Sequence, residues 1–129
     1  MLKKFLGLLL VAVLGLSSCS HDEGYGGSAT IKGKVYGLDF NSNGTLVGQG
    51  YIGGFKVYIS KHGDTNYFDR VDTAYDGSFT FKYLYKGTYD IWVFGDCDSC
   101  QWDQTYVLKT ITIGTKNAVV ETEDFVVSF

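Results

Sequence analysis

The fold is decided by residues 76–94, which read DGSFTFKYLYKGTYDIWVF. Asp76-Gly77 is a strong hairpin signal, because glycine accepts the positive φ that such turns require. It predicts a hairpin between a strand at residues 67–73 and a strand that begins at Ser78. A second turn at Lys86-Gly87 is flanked by side chains that alternate between apolar and polar. We expect the apolar ones to fill a core: Phe79, Phe81, Leu84, Tyr89, Ile91 and Val93.

The same period of two continues along the rest of the chain. Ala29, Ile31, Gly33 and Val35 predict one face of a strand, and further strands are expected near residues 55–60, 105–113 and 119–127. Residues 37–54 read as a long loop with a short strand at 45–47. No window has a helical period. The sequence therefore predicts an all-β domain at residues 29–129, a single antiparallel Greek-key β-sandwich of about seven strands.

Composition agrees with a sheet protein and excludes one class of ligand. The 129 residues include ten Tyr, nine Phe and two Trp but no Pro, which favours strands over helices. The formal net charge is −3, and two of the basic residues, Lys3 and Lys4, lie in a leader described below. Nucleic-acid binding needs a basic footprint, so we expect no nucleic-acid partner.

The first residues read as an export signal. Lys3 and Lys4 precede an apolar run at residues 5–16, which is too short to span a membrane. The run ends at Leu16-Ser17-Ser18-Cys19, which resembles the lipobox of bacterial lipoproteins. That resemblance implies a signal peptide at residues 1–18 and acyl chains on Cys19, which anchor the protein in the outer membrane of the cell envelope.

Residues 19–28 read as a flexible tether, because three glycines follow the polar start of the mature chain. Asp22 and Glu23 resemble the surface-export signal of some diderm bacteria, whereas a solvated acidic spacer explains the same residues. A periplasmic-facing and a surface-exposed location both remain open.

The strand pattern carries a family resemblance over residues 29–129. It reads Ile31-x-Gly33-x-Val35, then Gly54-x-x-Val57-x-Ile59, then Thr73-x-x-Asp76-Gly77-Ser78-Phe79-x-Phe81-x-x-Leu84-x-x-Gly87-x-Tyr89-x-Ile91-x-Val93. This pattern resembles the carboxypeptidase regulatory-like, or transthyretin-like, domain, which the B-type repeats of Gram-positive adhesins share. Domains of this family are mostly non-catalytic spacers, stabilisers or binding modules, and the fold alone does not decide among these roles.

Residues 39–44 match the opening of a calcium loop. Asp39, Asn41 and Asn43 stand at positions one, three and five, and Gly44 allows a sharp bend. The twelfth position, which should supply a bidentate carboxylate, is Gly50. Asn-Gly turn chemistry explains the same residues. Calcium is therefore an alternative cofactor, and the main expectation is that no cofactor is bound.

Cys97 and Cys100 would be the two cysteines left once Cys19 is acylated. In an oxidising envelope we expect a disulfide between them. A metal site needs further ligands, and redox catalysis needs a stabilised thiolate, which Asp96 and Asp98 oppose.

Aromatic side chains could form a ligand platform for a sugar or peptide: Tyr36, Tyr58 and Trp92 on outward strand positions, with Trp102 and Tyr85 in loops nearby. Cross-strand pairing that covers the sheet is the other interpretation. No catalytic residues are predicted, because His62 lies in a turn beside no evident nucleophile.

These observations predict a membrane-anchored, non-catalytic binding or structural accessory module with an envelope protein or a glycan as partner. The alternative is a calcium- or glycan-binding adhesion domain, and the third reading is an envelope thiol-redox or hydrolytic enzyme.

Overall fold

A computed structural model describes residues 21–97 and 101–129, which form nine strands and one short 3-10 helix, with no α-helix among them. The strands are β1 (Tyr25–Phe40), β2 (Leu46–Tyr51), β3 (Lys56–Lys61), β4 (Asp69–Asp72), β5 (Ser78–Leu84), β6 (Gly87–Asp96), β7 (Gln104–Ile113), β8 (Val119–Glu121) and β9 (Phe125–Ser128). The 3-10 helix, Gln101–Asp103, directly precedes β7. Within the described part of the chain, no helix is long and apolar enough to cross a bilayer.

The strands form two sheets, which confirms the predicted all-β sandwich. In the five-stranded sheet the long strand β1 is central: β2 and β5 pair with it antiparallel, whereas β8 and β9 pair with it in parallel. The four-stranded sheet has the order β4-β3-β6-β7 and is antiparallel throughout. The expectation of an antiparallel sandwich therefore holds for all pairings except those of β8 and β9.

The core lies between the two sheets and contains the side chains that the alternating pattern selects. Phe81 is 1% exposed, and its neighbour Phe79 packs its ring 5.8 Å from that of Phe125. The buried apolar set is Ala29, Ile31, Val35, Val57, Ile59, Phe79, Phe81, Leu84, Tyr89, Ile91, Val93, Ile113, Phe125 and Val127. Burying this set supplies the main driving force for folding.

Gly33 allows a close approach in this core. A Cβ at this position would collide with the Thr122 hydroxyl and lie 2.8 Å from the Phe79 ring. Glycine is therefore required where β1 passes beneath these two side chains.

The Asp76-Gly77 turn forms, but the predicted hairpin is wrong. β4 pairs with β3 in one sheet, whereas β5 pairs with β1 in the other. The turn therefore carries the chain from sheet to sheet. A turn signal specifies that the chain reverses locally, and the pairing of the flanking strands depends on which apolar faces meet in the core.

Residues 21–97 and 101–129 form nine strands and not about seven, because two predicted segments are divided differently. The predicted strand at 119–127 is two strands, separated where the buried Thr122 donates its backbone N–H to the Lys32 carbonyl. The predicted loop at 37–54 contains the last residues of β1 and all of β2. At the other end, β1 begins at Tyr25, four residues before the predicted start of the domain at Ala29.

Candidate functional site

The outer face of the four-stranded sheet has a cluster of aromatic side chains at its centre. Strand register places Tyr58 on β3 opposite Trp92 on β6, and Trp92 opposite Leu108 on β7; Phe94 and Tyr106 form the next pair. Directly opposed residues of antiparallel strands point to the same face, so these side chains share one surface. Together with Tyr67, from the loop between β3 and β4, they form what we call the aromatic face: Tyr58, Tyr67, Trp92, Phe94, Tyr106 and Leu108.

Tyr58 is at the centre of this face and contacts three other rings. Its ring stacks with that of Trp92 at a centroid distance of 5.8 Å and an interplanar angle of 11°. Tyr67 and Phe94 contact Tyr58 edge-on, at centroid distances of 4.9 and 5.5 Å. Such stacked and edge-to-face contacts hold the rings in defined orientations.

The aromatic face is open to solvent despite its apolar character. Tyr106 is 61% exposed and Leu108 44% exposed. The rings and a set of polar residues line an open cavity of about 500 Å³. A concave apolar surface with a few polar groups is typical of small-molecule sites, and large exposed apolar patches mark interaction surfaces.

Polar residues border the aromatic face on one side, and we call them the polar rim: Asp64, Thr65, Asn66 and Asp90. Asp90 is almost buried, with 8% of its surface exposed. Its Oδ1 accepts hydrogen bonds from His62 Nδ1 at 2.9 Å and Thr110 Oγ1 at 2.8 Å, and its Oδ2 accepts one from the Gly63 N–H at 3.2 Å.

These contacts keep the Asp90 carboxylate ionised. Burial acts to raise its pKa, but the hydrogen bonds from His62, Thr110 and the Gly63 amide outweigh that effect, so the pKa lies below its ordinary value. The Thr110 hydroxyl donates to Asp90 and not to His62. The three hydrogen bonds therefore hold the Asp90 carboxylate in a fixed orientation.

The structure brings together two of the four platform residues selected from the sequence. Tyr58 and Trp92 meet on the aromatic face. Tyr36 lies in the other sheet, where its ring contacts Tyr51 edge-on at 5.1 Å. Trp102 lies in the 3-10 helix, is 85% exposed and does not line the cavity.

Sequence reasoning missed three rings of the aromatic face: Tyr67, Phe94 and Tyr106. Phe94 is two residues after Trp92 on the same strand, so alternation alone could have found it. Tyr106 could be added only from the pairing of β6 with β7. Tyr67 comes from a loop, for which alternation gives no signal.

The residues of the candidate calcium loop form a β-hairpin turn. The Asn41 side-chain oxygen accepts the backbone N–H groups of Asn43 and Thr45 at 3.0 and 2.9 Å, and Gly44 has a φ of 78°. Asp39 lies on β1, before the turn. Among the described residues, no group of three or more His, Cys, Asp and Glu side chains is placed to hold a metal ion. Turn formation explains these residues, and calcium binding stays a prediction.

Other predicted sites fall at the limits of the described chain. Cys19 and Cys100 lie outside it, so the acylation of Cys19 and the disulfide between Cys97 and Cys100 stay predictions.

Tyr85, which was expected near the platform, instead stacks on His21 with a centroid distance of 4.6 Å. These two residues help to line a second cavity, of about 640 Å³, whose walls include Gly26, Gly27 and Lys116.

Comparison with known proteins finds similarity in structure but not in sequence. No protein-family model matches the chain, and no curated protein matches it in sequence. A crystal structure of a proposed carbohydrate-binding protein from Pseudomonas aeruginosa is similar, with 15% identity and a TM-score of 0.48. The alignment covers 82% of this chain and 91% of that one. A likeness at this level does not identify a ligand, and the resemblance to the transthyretin-like domain stays a prediction.

Proposed function

We propose that this protein is a lipid-anchored, non-catalytic module that binds carbohydrate through the aromatic face. The observation on which the proposal depends is the open cluster of rings around Tyr58 and Trp92, bordered by the polar rim. The anchor is the predicted acylation of Cys19, which would place the module in the outer membrane of a bacterial envelope.

The chemistry of this surface suits a sugar. One face of a pyranose ring presents C–H groups, which pack on the flat faces of Tyr and Trp, while its hydroxyl groups point outward from the ring edge. Asp64, Asn66 and Asp90 line the cavity where such hydroxyl groups would need partners. An extended peptide would instead be expected to pair with a strand edge through its backbone.

Charge also disfavours a nucleic acid as the ligand. Aromatic rings can stack on bases, but nucleic-acid grooves combine them with basic residues that follow the phosphates. Among the described residues lining this cavity, two are acidic and none is Lys or Arg. The whole chain is acidic as well, with a net charge of −3.

The proposal is tested by screening the detergent-solubilised full-length protein on a glycan array and measuring the best ligand by calorimetry. We expect Trp92→Ala to weaken binding by about ten-fold or more, taking the about 1–3 kcal/mol that a nucleic-acid base gains by stacking on one aromatic ring as the guide for a sugar face. Trp102→Ala is the matched control, since Trp102 is exposed and does not line the cavity. Equal losses in the two variants, or no binding to any glycan, would refute the proposal.

The anchor is tested separately by mass spectrometry of the membrane-extracted protein. We expect a mature chain that begins at an acylated Cys19 and a Cys19→Ala variant that is not processed. If Cys19 is found unmodified, the proposed lipid anchor is wrong, whereas the proposed binding site is unaffected.

A further inference from the structure

We infer that Asp90 determines which charge on a sugar the site prefers, so that amino sugars bind more tightly than neutral sugars and acidic sugars bind least tightly. This inference rests on the proposed carbohydrate function and deepens it. It depends on the position of Asp90, on how its carboxylate is held and on which charges surround it.

Asp90 lies next to Trp92 on the outer side of the four-stranded sheet. It is two residues before Trp92 on β6, so the two side chains point to the same side of the sheet. Both line the same cavity. A sugar ring stacked on Trp92 would therefore lie beside the carboxylate.

The Asp90 carboxylate is held in place and can still accept a hydrogen bond from a ligand. Its Oδ1 accepts hydrogen bonds from two side chains, those of His62 and Thr110, whereas its Oδ2 accepts only the Gly63 N–H among the described residues. A carboxylate has about four lone-pair positions, so one on Oδ2 remains for a ligand hydroxyl or ammonium group. Gly63 has a φ of 86°, a backbone conformation that glycine adopts easily.

The charges around the cavity are of one sign. Asp64 and Asp90 line it, and no Lys or Arg from the described chain does so. Lys61 and Lys109 are closer in register, but they are opposite the core-facing Tyr89 and Ile91 and so lie on the other side of the sheet. Among outward-facing basic positions, Arg70 is opposite Tyr58 on the side away from Trp92. The partly exposed His62 contacts Asp90 and adds positive charge only when it is protonated.

A nearly buried carboxylate discriminates strongly by charge. The ionised Asp90 carboxylate attracts an ammonium group and repels a second carboxylate. A neutral sugar can still donate a hydroxyl hydrogen bond to Oδ2. The expected order of affinity is therefore hexosamine, then hexose, then hexuronic acid.

The test is an array of matched hexose, hexosamine and hexuronic acid glycans, followed by calorimetry on full-length protein near neutral pH. We expect the wild type to bind the amino form at least about ten-fold more tightly than the acidic form, and Asp90→Asn to reduce this ratio to about three-fold or less. Asp72→Asn is the control, because Asp72 is an exposed acid of the same sheet that does not line the cavity.

A second measurement covers the case in which Asp90→Asn fails to fold. In the wild type, raising the salt concentration should narrow the ratio between amino and acidic sugars, because salt screens charge attraction but not stacking. Thr110→Val, which keeps the charge of Asp90, should preserve the order of affinity.

The outcomes separate this inference from the function on which it rests. Trp92→Ala could weaken the binding of all sugars while Asp90→Asn leaves the ratio of affinities for amino and acidic sugars unchanged. In that case the inferred role of Asp90 is wrong and the proposed carbohydrate site stands. Preference for acidic sugars in the wild type would overturn the inference in the same way. If no glycan binds, both proposals fail.

Discussion

At the scale of single residues, the Tyr89 hydroxyl joins the start of the described chain to the sandwich. The residue is fully buried, and its hydroxyl accepts the Gly24 N–H at 2.9 Å and donates to the Tyr85 carbonyl at 2.8 Å. Burial raises the pKa of this phenol, so it stays protonated and able to donate.

Tyr89→Phe should reduce the free energy of unfolding by about 1–3 kcal/mol, because it leaves the Gly24 N–H and the Tyr85 carbonyl without this partner. Urea denaturation measures the loss. Tyr75→Phe is the control, since Tyr75 is 95% exposed and should lose almost nothing. Equal stability of the two variants would show that the buried hydroxyl contributes nothing.

Asp90 should make the stability of the protein depend on pH in a defined direction. Its pKa is lowered in the folded state, so its stabilising contribution is present above the unfolded value of about 3.9 and is lost as the pH falls through the folded value. The stability difference between wild type and Asp90→Asn should be constant above about pH 5 and shrink below about pH 4. A difference that grows on acidification would contradict this.

At the scale of elements, the turn before β5 depends on Gly77. Its φ is 82°, and a Cβ there would lie 2.8 Å from the Val35 carbonyl oxygen. The Asp76 carboxylate holds the same turn by accepting the Ser78 hydroxyl at 2.6 Å and the Ser78 N–H at 3.1 Å.

Gly77→Ala should destabilise the protein by about 2–3 kcal/mol, because strain from the positive φ adds to the collision with Val35. Gly44→Ala is the matched control: Gly44 has a φ of 78° but open space around it, so the loss should be about 1–2 kcal/mol. Thermal unfolding compares the two. Equal losses would mean that the contact with Val35 has no effect.

The alternating pattern predicted which side chains are buried, but it did not predict which strands pair. Alternation selected Phe81, Ile91 and Val93, and all three are buried, because the period of two follows from the geometry of a strand. Pairing depends on contacts distant in sequence, so the sheet-to-sheet turn at Gly77 was not predictable. For the same reason, sequence alone grouped Tyr36 and Trp102 with Tyr58 and Trp92.

At the scale of the whole molecule, the described chain starts at one end of the sandwich. His21 stacks on Tyr85, and the Gly24 carbonyl accepts the Tyr85 N–H at 2.9 Å. Tyr25 contacts the other sheet, where its hydroxyl donates to Asp69 at 2.5 Å. His21 is two residues from Cys19 in sequence, so an acylated Cys19 would hold this end of the domain near the membrane.

The location of the binding site is the central claim, and the two tryptophans of the chain test it most directly. Trp92 lies in the aromatic face and Trp102 outside it. The measurement is a two-dimensional NMR titration of the full-length protein with the tightest-binding oligosaccharide, following both indole N–H signals. The account predicts that the Trp92 signal shifts with saturation while the Trp102 signal stays in place; a shift of Trp102 alone would contradict it.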